Sequence, residues 1–311
     1  MSSDNDTKFQ HAVFFLTGIP GQEDVHVWIS IPFFLIYVIS ILGNSIILFL
    51  IKSDSTLHKP MYIFLFMLAI TDLGLIISTM PTTLGIFWFN AREISHDACF
   101  VQMYFIHMFA VTESSVLLCM AFDRLVAICN PLRYESILIP SRIAKMGLMF
   151  LLRGVVLMLP LPILLKQHQY CQDSVLSHSY CLHQEVMKMA CSDIGVNIIY
   201  GLFVVLSSEG LDFLLILLSY VMILKTVLSI TSREGCFKAL NTCISHVCTV
   251  LLFYVPEIGL SVIYRFLKTS SPFVQIIMSY VSLLLPPLMN PIMYSMKTKP
   301  IRVRIIRVFV K

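Results

Sequence analysis

Apolar residues fill seven long stretches of this chain, separated by short polar segments. The first, 27–51, contains no charged residue or histidine, and the second, 61–90, contains only Asp72. In the third, 98–122, stand His107 and Glu113, and in the fourth, 146–165, only Arg153. The fifth, 194–224, holds Glu209 and Asp212; the sixth, 239–264, holds His246 and Glu257; the seventh, 270–296, is uncharged. Crossing ~30 Å of hydrocarbon takes about 20 apolar residues at ~1.5 Å each, so every stretch is long enough. Lipid offers the backbone no water to bond, and segments of this length satisfy their own amides only as helices. The pattern predicts an all-α membrane protein, a bundle of seven transmembrane helices.

The distribution of cations orients it. With the amino terminus outside, 15 of the 22 Lys and Arg residues fall on the cytoplasmic side and 6 outside, with Arg153 within a span. That bias obeys the positive-inside rule. Residues 1–26 are then an extracellular segment, 27–296 the helical domain with a long outer loop at 166–193, and 297–311 a short cytoplasmic tail. The apolar run 12–16 is too short for a cleavable leader, so the first span is expected to act as the membrane signal. Asn5-Asp6-Thr7 is a glycosylation acceptor on the lumenal side. In the tail, Arg304, Arg307 and Lys311 share one helical face and Ile305 and Phe309 another, which predicts an interfacial helix against anionic lipid.

Composition narrows the class further. Hydrophobic residues make up 57% of the chain and charged residues 13%, with mean hydropathy +0.83. A soluble domain carries about 25% charge, so a soluble globule is excluded. The net charge of +4 is small and dispersed, which argues against a nucleic-acid partner. Repeats and low-complexity segments are absent. Four cysteines, Cys99, Cys171, Cys181 and Cys191, lie on the oxidising side, enough for two disulfides in any of three pairings. His168, His178 and His183 are interleaved with them, but the spacings match no familiar zinc pattern. Cys119, Cys129, Cys243 and Cys248 read as small packing residues.

Several motifs stand in a distinctive order. Gly43-Asn44 lies in the first span, Leu68-Ala69-Ile70-Thr71-Asp72 in the second, and Asn290-Pro291-Ile292-Met293-Tyr294 at the end of the seventh. Pro60-Met61-Tyr62 follows the first inner loop. Met120-Ala121-Phe122-Asp123-Arg124 leads towards Val126-Ala127-Ile128-Cys129-Asn130-Pro131. Lys238-Ala239 precedes Thr242-Cys243-Ile244-Ser245-His246, and Pro287-Leu288-Met289 precedes Asn290. Over essentially its whole length the chain resembles the olfactory receptors of the rhodopsin-like G-protein-coupled family. Ser177-His178-Ser179-Tyr180-Cys181-Leu182-His183-Gln184 in the long outer loop resembles their class I, fish-like branch. Position 125 departs from the usual aromatic after Arg124, with Leu in its place.

The resemblance implies a plasma-membrane, multi-pass receptor for small-molecule odorants, coupled to the olfactory stimulatory G protein and so to cyclic AMP. It implies the disulfides Cys99–Cys181 and Cys171–Cys191. Asp123 and Arg124, with Lys238, Tyr254, Asn290, Pro291 and Tyr294, become the coupling and switch residues. Asp72 and Glu113 are expected to face each other, and two such carboxylates need either a cation or a shared proton. A sodium ion at Asp72, Glu113 and Asn290 is one solution and a hydrogen-bonded acid pair the other; no other cofactor is expected. For the ligand, His107 lies ~12 Å below Cys99 along its helix, and Tyr254, Ile258, Ser261 and Arg265 follow helical steps along one face. With Ala110, Val111, Gly201 and Glu257 they form the expected ligand set. Arg265, Ser261 and His107 would suit a carboxylate through charge-assisted bonds, unless Arg265 only snorkels into the outer loop. Glu209 and Glu257 stand where class I relatives usually carry apolar residues, and Glu257 is expected to face the upper cavity or the fifth helix, so an amine stays open as an alternative. A transporter would show inverted repeats, a retinal protein a lysine in the seventh span, and an intramembrane enzyme a partnered nucleophile or metal set; none is visible, and no enzymatic activity is expected.

Overall fold

A computed structural model describes residues 13–19, 21, 26–170, 175–229, 232–266 and 272–309. Seven helices long and apolar enough to cross a membrane account for most of it: α1 (His26–Ser53), α2 (Pro60–Phe89), α3 (His96–Cys129), α4 (Pro140–Lys166), α5 (Gly195–Leu228), α6 (Arg233–Phe266) and α7 (Pro272–Lys297). An eighth, α8 (Lys299–Phe309), follows the last span. Most helices overrun the apolar stretches, because polar residues at their ends continue the helix beyond the hydrocarbon. Local chemistry sets the limits. Pro60 opens α2 at its first turn, where a missing N–H costs nothing. Asn90 closes it in the left-handed region at φ 54°, returning its N–H to the carbonyls of Gly85 and Ile86. Ser95 caps α3 by accepting from the Ala98 amide.

The packing places α3 at the centre: its apolar core is the most buried of the seven and that of α4 the least. An inner-half core gathers Ile47, Phe64, Leu68, Leu117, Met120 and Tyr294, and an outer-half core gathers Tyr37, Ile76, Met103, Cys181 and Tyr280. One close approach depends on glycine. A Cβ at Gly43 would stand 2.9 Å from the Pro291 ring, so its absence lets α1 meet α7. Asn44 reinforces that contact by donating to the carbonyls of Ser40 and Pro287, each at 3.0 Å. In α5 the regular helix is interrupted by a π-turn at Leu206–Gly210, an extra residue that reorients the flanking segments.

One element was not expected from the apolar pattern. A three-stranded sheet crosses the outer face: β1 (Val13–Leu16) pairs antiparallel with β2 (Glu93–Ser95) and parallel with β3 (Val175–Leu176). Phe14 anchors it, fully buried, stacked 4.0 Å from His96 and edge-on to Tyr170 at 5.0 Å. On the inner face α8 buries Ile301 and packs Ile305 on the core. Arg304 reaches Asp54 at 2.5 Å and Thr56 at 3.2 Å in the first inner loop. The bonds from Thr56, then Arg304, hold the Asp54 carboxyl below its usual range. Asn5, Cys171 and Lys311 lie outside the described residues.

Candidate functional site: a ligand cavity above a buried polar core

A cavity of about 480 Å³ opens in the outer half between α3, α4, α5 and the short loop helix His183–Lys188. Its wall is mostly apolar, with Val111, Met158, Leu161, Ile198, Val204 and Val205. The polar exceptions are few. His107 Nε2, Gln184 Oε1 and Asn197 Nδ2 are buried and have no hydrogen-bond partner among the described residues. Asn197 turns its other side-chain atom to His168, 2.8 Å away. Gly201 leaves room for the His183 ring, whose Cε1 would lie 3.3 Å from an added Cβ. Lys188 completes the rim and is bonded to Glu185 at 2.7 Å.

Deeper lies a chamber of about 50 Å³, with His107, Gln184 and Glu209 shared between its wall and that of the cavity above. Ala110 and Glu113 of α3, Phe253, Glu257 and Leu260 of α6, and Ser279, Ser282 and Leu283 of α7 enclose it. Ser282 donates a very short bond to Glu257 Oε1.

Of the expected ligand set, His107, Ala110, Val111, Gly201 and Glu257 line one or both spaces. Ile258 does not, which corrects the expectation: it is 46% exposed on the outside of α6. The inward side of that helix is set by Phe253, Glu257 and Leu260, and at ~100° per residue Ile258 turns about 100° away from Glu257. Glu257 faces the chamber and accepts its bond from Ser282 of α7. Ser261 is half-buried and lies on neither wall. The side chains of Arg265 and Lys238 lie outside the described residues.

Below the chamber, Asn290 Nδ2 donates to both oxygens of Asp72 at 3.2 and 3.1 Å and approaches Glu113 Oε1 at 3.4 Å. Glu113 Oε2 and Asn290 Oδ1 keep no hydrogen-bond partner among the described residues. Beside this cluster runs a network that sequence reasoning missed. Arg153 of α4 holds Asp212 of α5 at 2.9 and 3.1 Å, and donates to Ser115 and to the Ser207 carbonyl. Ser114 donates to Asp212 at 3.0 Å and meets the Tyr254 hydroxyl at 2.7 Å, so the network ties α6 to α3, α4 and α5. The available signal was that each partner is an ionisable residue in an otherwise apolar span, with opposite sign.

At the inner end Arg124 is held by Asp123 at 2.7 Å, and Tyr134 donates to the same carboxylate at 2.6 Å. Burial, then the adjacent Asp123 carboxylate, push the Tyr134 phenol up. A cavity of about 350 Å³ opens here, lined by Tyr62, Met120, Arg124, His246 and Tyr294, with Lys59 and Lys299 at its edge. His246 meets the Tyr220 hydroxyl at 2.6 Å and the Leu117 carbonyl at 3.0 Å, bridging α6, α5 and α3. Outside, Cys99 and Cys181 form a disulfide with Cα atoms 5.5 Å apart, and the Cys181 amide donates to Gln102. Cys191 is also disulfide-bonded. Among the described residues no cluster of His, Cys, Asp and Glu is arranged to hold a metal ion.

Comparison with known proteins places this geometry. Squid rhodopsin, a solved crystal structure, superposes with a TM-score of 0.76 over 94% of this chain and 87% of its own, at 17% identity, which establishes the fold. Human Olfactory receptor 51G2 is 60% identical over 98% of this chain and 97% of its own length, and human Olfactory receptor 51G1 is 60% identical over 98% and 95%. The olfactory receptor family model matches residues 33–311. The chain therefore belongs to the olfactory receptor family, as a non-enzymatic, multi-pass receptor of the plasma membrane.

Proposed function

We propose that this receptor takes a small polar odorant into the outer cavity and, in response, activates the olfactory stimulatory G protein to raise cyclic AMP. The observation that carries the reading is the set of unpartnered buried atoms on His107, Gln184 and Asn197 in an otherwise apolar wall. A buried polar atom without a partner costs about 1–3 kcal/mol. A ligand that bonds these atoms recovers that loss, and an apolar wall of this size suits a compact body.

Signalling requires the ligand to favour one packing of the helices over another. Tyr254 is the connection to α6: it sits between the ligand level and the Arg153–Asp212 pair, so a shift of α6 breaks its bond to Ser114. At the inner end the same shift widens the cavity beside Arg124 for the G protein. A sodium ion held by the Asp72 and Glu113 carboxylates, with Asn290 turning its unpartnered Oδ1 to it in place of Nδ2, would stabilise the inactive packing, because oxygen donors suit a hard cation and two buried carboxylates call for one.

The test is cyclic AMP in cells co-expressing a trafficking partner, challenged with small polar odorants. His107→Ala and Asn197→Ala are expected to weaken the response at least tenfold with surface expression unchanged. A response indifferent to both variants would place the ligand elsewhere. Raising sodium is expected to lower basal cyclic AMP, and Glu113→Gln to abolish that dependence.

A further inference from the structure

The outer cavity is mostly apolar, and the acids are concentrated around the chamber beneath it. Three carboxyl groups meet around it from three helices: Glu113 of α3, Glu209 of α5 and Glu257 of α6. No lysine or arginine stands on its described wall. Glu113 is fully buried, and its Oε2 has no partner among the described residues. Gln184 adds a second unpartnered acceptor, Oε1. Two of these acids receive bonds as acceptors: Ser282 donates to Glu257 and Asn290 to Glu113.

We propose that the chamber receives a protonated amine, so that the odorants of this receptor are small ammonium compounds with an apolar body. The inference rests on the receptor reading above and names its ligand class. An ammonium group presents three donors and no acceptor, the complement of a wall rich in acceptors. About 50 Å³ exceeds the ~30 Å³ share of one water, enough for such a head and little more. Charge-assisted bonds to carboxylates are roughly twice as strong as neutral ones, and a cation relieves the mutual repulsion of the acids. The shared residues His107, Gln184 and Glu209 make the two spaces continuous, so the body of the ligand lies against Val111, Leu161 and Val204 above. A carboxylate ligand in the same place would meet three acids and no lysine or arginine on the described wall.

The experiment uses the full chain and a panel of linear, branched and cyclic primary amines of four to eight carbons, each with its carbon-matched alcohol and carboxylic acid. Binding is read as the melting temperature of the purified receptor, and signalling as cyclic AMP in cells. Amines are expected to stabilise and activate, and Glu257→Gln and Glu209→Gln each to weaken the amine at least tenfold. The matched alcohol should shift by less than threefold in the same variants, a difference that misfolding would not produce. If acids or alcohols outrank every amine, or if amine potency stays within threefold in both variants, the inference falls while the receptor reading stands. Amines that raise the melting temperature without raising cyclic AMP would sustain the inference and overturn the coupling.

Discussion

Arg153 and Asp212 show how much a single pair carries. Each was legible as an ionisable residue in an apolar span, yet their partnership was not, because it depends on α4 lying beside α5. With side chains 21% and 1% exposed, the two charges are largely out of solvent, so removing one leaves the other uncompensated at about 3–5 kcal/mol. Arg153→Leu is expected to lose most surface expression and lower the melting temperature. The double variant Arg153→Leu with Asp212→Leu should recover part of both, since replacing a whole buried pair is often neutral. His178 carries a pH dependence. It is buried in the outer loop against Ser279, and burial pushes its pKa to about 4; Glu185 opposes that shift and Lys188 reinforces it. Between the ordinary 6.5 and about 4, the unfolded chain binds a proton that the folded chain refuses. This contribution to stability is full above pH 6.5 and is lost as pH falls through that window. The melting temperature should drop between pH 7 and 5, and His178→Gln should flatten that drop.

Helix phase was legible only in part. The expected α3 residues His107, Ala110 and Val111 do line the cavity or the chamber, but counting steps of three and four along α6 drew in Ile258, which faces outward. Spacing defines a stripe; the neighbours decide which edge of the stripe is inside, and here α3 and α7 select Phe253, Glu257 and Leu260. The π-turn of α5 was not legible, since Leu206–Gly210 contains nothing that demands a wider turn. It nonetheless fixes the relation between Asn197 and Gly201 above it and Asp212 below. Deleting Leu206, whose side chain is 61% exposed, should restore a regular helix and rotate one half against the other by ~100°. Ligand response is expected to vanish while the Arg153–Asp212 tie and membrane insertion persist, checked by cyclic AMP and surface staining.

The seven spans and their direction were legible because hydrocarbon thickness imposes a length and the cation bias a sign. The sheet on the outer face was not, because strands of two to four residues are too short to show a period. Its anchor makes it more than decoration. Phe14→Ala removes a fully buried ring from among His96, Phe100 and Tyr170, and is expected to cost about 3 kcal/mol. A fall in melting temperature without loss of the Cys99–Cys181 disulfide would be the signature, read by calorimetry and by alkylation of free thiols.

That sheet also imposes a schedule. Thr17 bonds Leu176 across 159 positions, so the first strand to leave the ribosome pairs with one made after the fourth span. At about 5–20 residues per second, synthesis separates the two by roughly 8–30 s. For that interval Phe14 has no complete socket and waits on the lumenal side, and the extracellular face closes only when the middle of the chain arrives to meet its beginning. The state of the first strand thus reports whether insertion has passed the halfway point.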